Sequence, residues 1–316
     1  MGIMENMDTG WSNKFEAASM SLHTVLTEKP EPLDFVFPGL LAETFGVLVS
    51  PGGVGKSFLA LQKAISVALG KDLFGIWGED PEQGQVVVLS LEDPEAVTRH
   101  RLFAMGHHLS EVDKAQLQEN LDILSLNGEG FSLMQQTADG LKPSAAVKGL
   151  ERYLQQKSPR LIMVDTLNRA LGGANENCST AMSAIINEVE KLNKKFGCAS
   201  LILHHTNKAS YSASGGSQGA SRGSSAIPDN ARFQENLQLM QEKEATARGL
   251  EDEAERRSWV RLDLSKANYA PVGNEIWLKR DSDGVLWGSM PPPLAVKESN
   301  SSRRKASDVD DSLIPW

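Results

Sequence analysis

Ser50-Pro51-Gly52-Gly53-Val54-Gly55-Lys56-Ser57 is the stretch of this chain whose residue types and spacing most directly imply chemistry. Glycines let successive N–H groups curl around an anion, and a helix beginning at Lys56 adds its partial positive charge. A lysine in that place reaches the outer phosphates of a nucleotide, and the adjacent Ser57 hydroxyl can ligate Mg²⁺. Gly52, Gly53, Val54, Gly55, Lys56, Ser57 and Phe58 are therefore the expected nucleotide-binding residues. The usual phosphate-loop pattern begins with glycine, and here that position is Ser50.

Three further groups could serve the same phosphates. Glu92 and Asp93 follow the apolar run Val86–Leu91. Glu92 is expected to orient and deprotonate a water, whereas Asp93 could instead cap the next helix, with Pro94 at its first position. Leu161-Ile162-Met163-Val164-Asp165 is a buried strand delivering one carboxylate, the Walker B arrangement that holds Mg²⁺. His204 and His205 end another apolar run, where an imidazole could sense a γ-phosphate. His107 and His108 are adjacent, which lacks the i, i+4 spacing of a helical metal site, and they read as solvated.

The elements that must position these groups can be read from periodicity. Phe45–Val49 is a buried strand leading into the glycine-rich turn, and Phe58–Leu69 is the helix leaving it. Strands are also expected at Val86–Leu91, Leu121–Leu126, Leu161–Asp165 and Cys198–Lys208, and helices at Lys142–Gln156 and Thr180–Phe196. Ile227–Gln241, containing Arg232, reads as helical, and Glu242–Arg257 as charged and solvated. Trp259–Lys266 alternates with period two, and Glu275–Arg280 is its expected antiparallel neighbour before a turn at Asp281–Gly284. Strands alternating with helices, with polar groups at strand ends, predict an α/β, RecA-like core. Its sheet should be mostly parallel, with helices on both faces and a C-terminal antiparallel β extension. The expected organisation is an N-terminal arm and linker over 1–34, an ATPase domain over 35–290, and a disordered tail over 291–316. A short helix is expected at Phe15–Leu26.

Composition narrows the function classes. No apolar run among the 316 residues is long enough to span a bilayer, and no signal peptide pattern stands at the start. Two cysteines, Cys178 and Cys198, suit a reducing compartment, so a cytoplasmic location is expected. The net charge of −9 argues against a protein that coats nucleic acid by bulk charge. It leaves room for a motor that grips one strand with a few loops. The small-residue stretch Ala209–Ser225, with Lys208 and Arg222 supplying charge, is the expected single-stranded DNA contact.

Taken in order, several of these motifs are similar to those of the RepA-type hexameric replicative helicases of broad-host-range plasmids and their phage relatives. The phosphate loop, Leu91-Glu92-Asp93-Pro94, Arg99-His100-Arg101-Leu102, Val164-Asp165-Thr166-Leu167 and His204-His205-Thr206 come first. Ala220-Ser221-Arg222-Gly223-Ser224-Ser225, Asp229-Asn230-Ala231-Arg232 and Ser265-Lys266-Ala267-Asn268-Tyr269 follow. The resemblance spans roughly residues 35–288. It implies a homohexameric ring that binds ATP and Mg²⁺, hydrolyses ATP at subunit interfaces and moves along single-stranded DNA. It implies Glu92 as catalytic base, Lys56 and Ser57 on phosphate and metal, Asp165 ordering the metal, and His205 as γ-phosphate sensor. Arg232 becomes the arginine finger reaching a neighbour's ATP, with Lys266 and Arg280 as rivals; Phe233 stands where tryptophan is usual. A replication initiator, a primase or a single-strand-binding protein is the expected further partner. An ATP-switched DNA loader, or a regulatory ATPase without DNA, is the alternative reading.

Overall fold

The computed structural model describes residues 2–138, 140–173, 178–205, 230–271 and 275–295. The chain divides into two compact units, Met1–Phe35 and Val36–Trp316. In the first, helices α1 (Gly2–Ala18) and α2 (Leu22–Thr27) replace the single short helix expected at Phe15–Leu26. Ser21 starts α2 by accepting a hydrogen bond from the Thr24 N–H, which separates the two helices at Ser19-Met20.

The chain goes on with the short strands β1 (Phe35–Phe37) and β2 (Leu40–Leu41), then β3 (Phe45–Ser50) and helix α3 (Lys56–Leu69). Next come β4 (Val86–Ser90), α4 (Glu95–Gly106), α5 (Glu111–Asn120) and β5 (Leu121–Ser125). The hairpin β6 (Met134–Thr137) and β7 (Gly140–Pro143) precedes α6 (Ala145–Lys157), β8 (Leu161–Asp165), α7 (Leu167–Ala170), α8 (Ser179–Phe196) and β9 (Ala199–His205). Last are β10 (Phe233–Leu239), the short helices α9 (Glu242–Ala247) and α10 (Glu253–Ser258), β11 (Trp259–Ala267), β12 (Glu275–Arg280) and β13 (Leu286–Gly288).

Among the described residues nine strands form one sheet in the order β13-β12-β11-β10-β3-β9-β8-β4-β5. From β10 to β5 the pairing is parallel; from β10 to β13 it is antiparallel. The α/β expectation with an antiparallel C-terminal extension therefore holds. The strands are apolar on both faces because helices cover both. Phe45, Val47 and Val49 of β3 pack with Leu150 of α6 and Ile185 and Val189 of α8. Leu48 points the other way, into a core with Leu59, Ala64 and Ile65 of α3 and Leu117 of α5.

The clearest departure from expectation is β10. Ile227–Gln241 reads as helical, yet Phe233–Leu239 is a central strand, parallel to β3 and antiparallel to β11. Its Gln234, Glu235 and Asn236 are buried, so a polar-rich string occupies a place that pattern rules reserve for apolar residues. Tertiary partners explain the exception. Lys63 of α3 donates to Glu235 at 2.8 Å, with both side chains almost wholly out of water. The Lys63 ammonium also lies 4.7 Å from the ring centres of both Phe37 and Trp77. Gln234 in turn donates to Asn236 at 3.0 Å.

Other differences are local. The helix expected from Lys142 starts at Ala145, because Ser144 caps it and Gly140–Pro143 is a strand. Glu242–Arg257 condenses into α9 and α10, started by Gln241 and Asp252 respectively. The tail expected from Pro291 is held at its beginning: Ala295 donates to the Ala247 carbonyl at 2.7 Å, and Arg248 donates to the Pro292 carbonyl at 2.7 Å. Residues 296–316 lie outside the described residues. No helix among the described residues is long and apolar enough to cross a membrane.

Candidate nucleotide-binding site

Four parallel strands, β3, β4, β8 and β9, end at one edge of the sheet, where open α/β folds bind ligands. The chain leaving β3 forms the phosphate loop. Gly53 and Gly55 have φ of 81° and 110°, a left-handed conformation that glycine adopts without steric cost. Ser50 has no positive φ and is buried at the end of β3, its hydroxyl donating to the Pro51 carbonyl at 2.8 Å. Glycine is therefore not required at that first position. Helix α3 starts at Lys56, so its unpaired N–H groups face the loop.

β4 brings Glu92, β8 brings Asp165 and β9 brings His205 to the same place. Lys56 Nζ lies 3.3 Å from His205 Nδ1, and His205 Nε2 lies 3.4 Å from Glu92 Oε2. Burial lowers the Lys56 ammonium to about 8, although Asp165 and Glu92 oppose the shift by attraction. The His205 hydrogen bond brings the Glu92 carboxyl down to about 2, helped by the His205 charge, a Thr166 hydrogen bond and the Lys56 charge against a smaller effect of burial. Burial raises the Asp165 carboxyl, opposed by a hydrogen bond from Ser57.

Among the described residues no hydrogen-bond donor reaches the buried Asp165 Oδ1. An orphaned carboxylate oxygen beside a serine hydroxyl fits a hard cation that prefers oxygen ligands. No cluster of three or more acidic, histidine or cysteine side chains suited to a metal occurs among the described residues. Mg²⁺ takes one or two protein groups and completes its shell with substrate phosphates and water.

Gly52, Gly53, Gly55, Lys56, Ser57, Glu92 and His205 line a cleft of about 440 Å³ together with Pro51, Phe58, Asp93, Arg101, Arg280 and Gly284. A larger cleft of about 700 Å³ opens between α4, β5 and α6, but its lining is mostly apolar and holds none of the strand-end groups. Asp93 does not cap α4. It accepts from Arg101 at 2.6 Å, and the cap position is Pro94, which offers no side-chain hydrogen bond.

Gly52, Gly53, Val54, Gly55, Lys56, Ser57, Phe58, Glu92, Asp165 and His205 are thus gathered at one end of the sheet. Arg232 is not among them. It is exposed just before β10, its N–H on the Phe45 carbonyl at the start of β3, one strand length (about 16 Å) from the phosphate loop. Lys266 is paired with Gln234 at that same far end. Arg280, expected as a rival for reaching a neighbour's nucleotide, lies instead against its own phosphate loop, donating to the Val54 carbonyl. The signal for that placement is the direction of β12, which runs parallel to β3 and so delivers Arg280 to the loop end. The sequence does not single out Arg101 for this pocket. Lys208 and Arg222 lie outside the described residues.

The fold is similar to a solved structure described as an ATPase domain, at 14% identity and a TM-score of 0.52 over 91% of this chain and 99% of that one. It is also similar to a DnaB-like replicative helicase solved with regard to its interactions with primase, at 14% identity and a TM-score of 0.57 over 92% of this chain and 74% of that one. At that identity the likeness is one of fold, and the fold is that of RecA-like P-loop ATPase domains. A family model described as an AAA domain matches residues 12–211, more than half of the chain, and the chain belongs to that family.

Proposed function

We propose that the protein is an ATP-dependent DNA helicase that works as a ring, a hexamer by its resemblance, moving along single-stranded DNA. The observation that carries this reading is the Lys56–His205–Glu92 relay at the mouth of the phosphate loop. A switch that only binds nucleotide has no need of a carboxylate placed to activate water, nor of an imidazole between that carboxylate and the phosphate lysine.

The chain's own groups divide the work. The loop N–H groups and Lys56 bind the phosphates, and Ser57 with Asp165 would hold Mg²⁺, which neutralises phosphate charge when bound. His205 exchanges Glu92 for the terminal phosphate when ATP enters. Glu92, released from the hydrogen bond that keeps its pKa near 2, becomes basic enough to orient and deprotonate the attacking water. Loss of the terminal phosphate returns His205 to Glu92.

Arg232 acts on a neighbour's nucleotide. Its place at the far end of the sheet denies it its own pocket, and an arginine from the next subunit stabilises charge on the transferring phosphoryl group. Lys208 and Arg222 hold the DNA backbone. A primase, an initiator or a single-strand-binding protein is a further partner, and the setting is cytoplasmic. The solved structures of similar fold, an ATPase domain and a DnaB-like replicative helicase, support this reading. A forked-duplex strand-displacement assay tests it. Unwinding should require ATP and be lost in Lys56→Ala; strand displacement that never occurs while ATP is hydrolysed would contradict it.

A further inference from the structure

We propose that Arg280 binds the phosphates of the nucleotide held by its own chain and is not donated to a neighbouring copy. The inference rests on the reading that the phosphate loop takes ATP.

Strand polarity brings Arg280 there. β10 runs with β3, β11 runs against it, and β12 runs with it again, so the last residue of β12 arrives at the loop end of the sheet. The guanidinium donates to the Val54 carbonyl in the middle of the loop. A Cβ built on Gly55 would lie 2.9 Å from Arg280 Nη2, so the loop and the guanidinium are in direct contact. The side chain is half-buried, and among the described residues no carboxylate pairs with it. A partly desolvated cation with a lone neutral acceptor, in a cleft shared with Lys56, is matched to an anionic ligand.

The turn after Arg280 is fixed to the same chain's nucleotide helix. Gln62 of α3 donates to the Leu286 carbonyl at 2.5 Å and accepts from the Leu286 N–H at 2.9 Å. Gly288 donates to the Phe74 carbonyl at 2.8 Å. Gly284 approaches Phe58 so closely that a Cβ there would meet the ring at 2.9 Å. Asp281 orders the turn, accepting from Val285 N at 2.9 Å and from Trp287 Nε1 at 2.9 Å. A group meant for a neighbour would need a turn free to swing outward. This one is tied at Gln62, Phe58 and Val54, leaving the guanidinium to exchange a carbonyl for a phosphate oxygen within its own pocket.

The test measures binding of a fluorescent ADP analogue to the full chain, and then ATP hydrolysis in mixtures. Arg280→Ala should weaken binding about tenfold or more, equally at dilutions where the chain is monomeric, since a charge-assisted hydrogen bond is lost. Arg280→Lys should recover part of that affinity, which separates a lost cation from a damaged fold. Mixing Arg280→Ala with Lys56→Ala should give hydrolysis no greater than the sum of the two, because neither chain then owns a complete pocket. Recovery well above that sum would overturn the assignment, since the Lys56→Ala chain would be lending its Arg280 across an interface. Wild-type affinity in Arg280→Ala would overturn it too. Absence of binding by the wild type would instead sink the nucleotide reading itself, and the assignment with it.

Discussion

His205 stands between Lys56 and Glu92 with one ring nitrogen facing each. Opposite a charged Lys56 a neutral imidazole accepts at Nδ1, 3.3 Å from Lys56 Nζ, and donates from Nε2, 3.4 Å from Glu92 Oε2. The imidazole thus passes the influence of the phosphate lysine to the carboxylate. Replacing His205 by alanine should let the Glu92 carboxyl rise from about 2 toward its ordinary 4.5. The sign follows: a depressed folded pKa contributes stability above pH 4.5 that is lost as pH falls toward 2. Denaturant midpoints of wild type should therefore fall more steeply between about pH 4.5 and pH 3 than those of His205→Ala. Parallel curves would show that the hydrogen bond does not hold Glu92.

Nucleotide binding should take up protons in mildly alkaline solution. Lys56 in the free protein is lowered to about 8 by burial, and phosphate oxygens beside it would raise it. Below about pH 7 the lysine is charged before and after binding, so affinity should be flat there. Above about pH 8 free protein has lost that proton and must regain it, so affinity should decline as pH rises. Calorimetry at about pH 8.5 in two buffers of different ionisation enthalpy reads the uptake directly. Equal heats in both would contradict it.

The pair Lys63–Glu235 joins the nucleotide helix to β10 in the dry interior. Removing one partner leaves a buried charge, so Lys63→Ala should cost about 3–5 kcal/mol of stability. Lys63→Met combined with Glu235→Leu, which leaves neither charge, should recover most of it. Urea midpoints measure both. A double variant as weak as Lys63→Ala would mean that packing, not charge, is what Lys63 contributes.

Those same residues show where sequence reading succeeds and where it stops. That Gly53, Gly55, Lys56, Glu92, Asp165 and His205 share one end of the sheet is legible because they follow short apolar runs, and strand ends on one sheet edge must converge. β10 is not, because Gln234-Glu235-Asn236 looks solvated until Lys63, 172 residues earlier, is placed against it. The fold class survives that error, since the remaining strands already alternate with helices. Arg280 enters as a rival finger through the resemblance alone; the strand order β10-β11-β12, which local sequence does not give, is what lays it against its own loop. Asp93 looks like a cap because it precedes Pro94, but the guanidinium of Arg101, further along α4, claims it instead.

Gln62 makes two hydrogen bonds to the backbone of Leu286 across 224 residues of chain. Gln62→Ala should cost about 2 kcal/mol, roughly 1 per bond. The loss should be local, so the Leu286 amide should exchange with deuterium much faster than the amides of β3. Uniform acceleration across the sheet would show that the hairpin and the core open together.

Steady-state ATP hydrolysis with and without single-stranded DNA, at one fixed low salt concentration, tests the central claim most directly, because phosphate contacts weaken with salt. Wild type should hydrolyse ATP and be stimulated severalfold by DNA. Glu92→Gln should lower turnover by about 10²-fold or more while still binding nucleotide. Arg232→Ala should keep nucleotide binding and lose the DNA stimulation. Hydrolysis indifferent to DNA, or undiminished in Glu92→Gln, would contradict a DNA motor driven from this site.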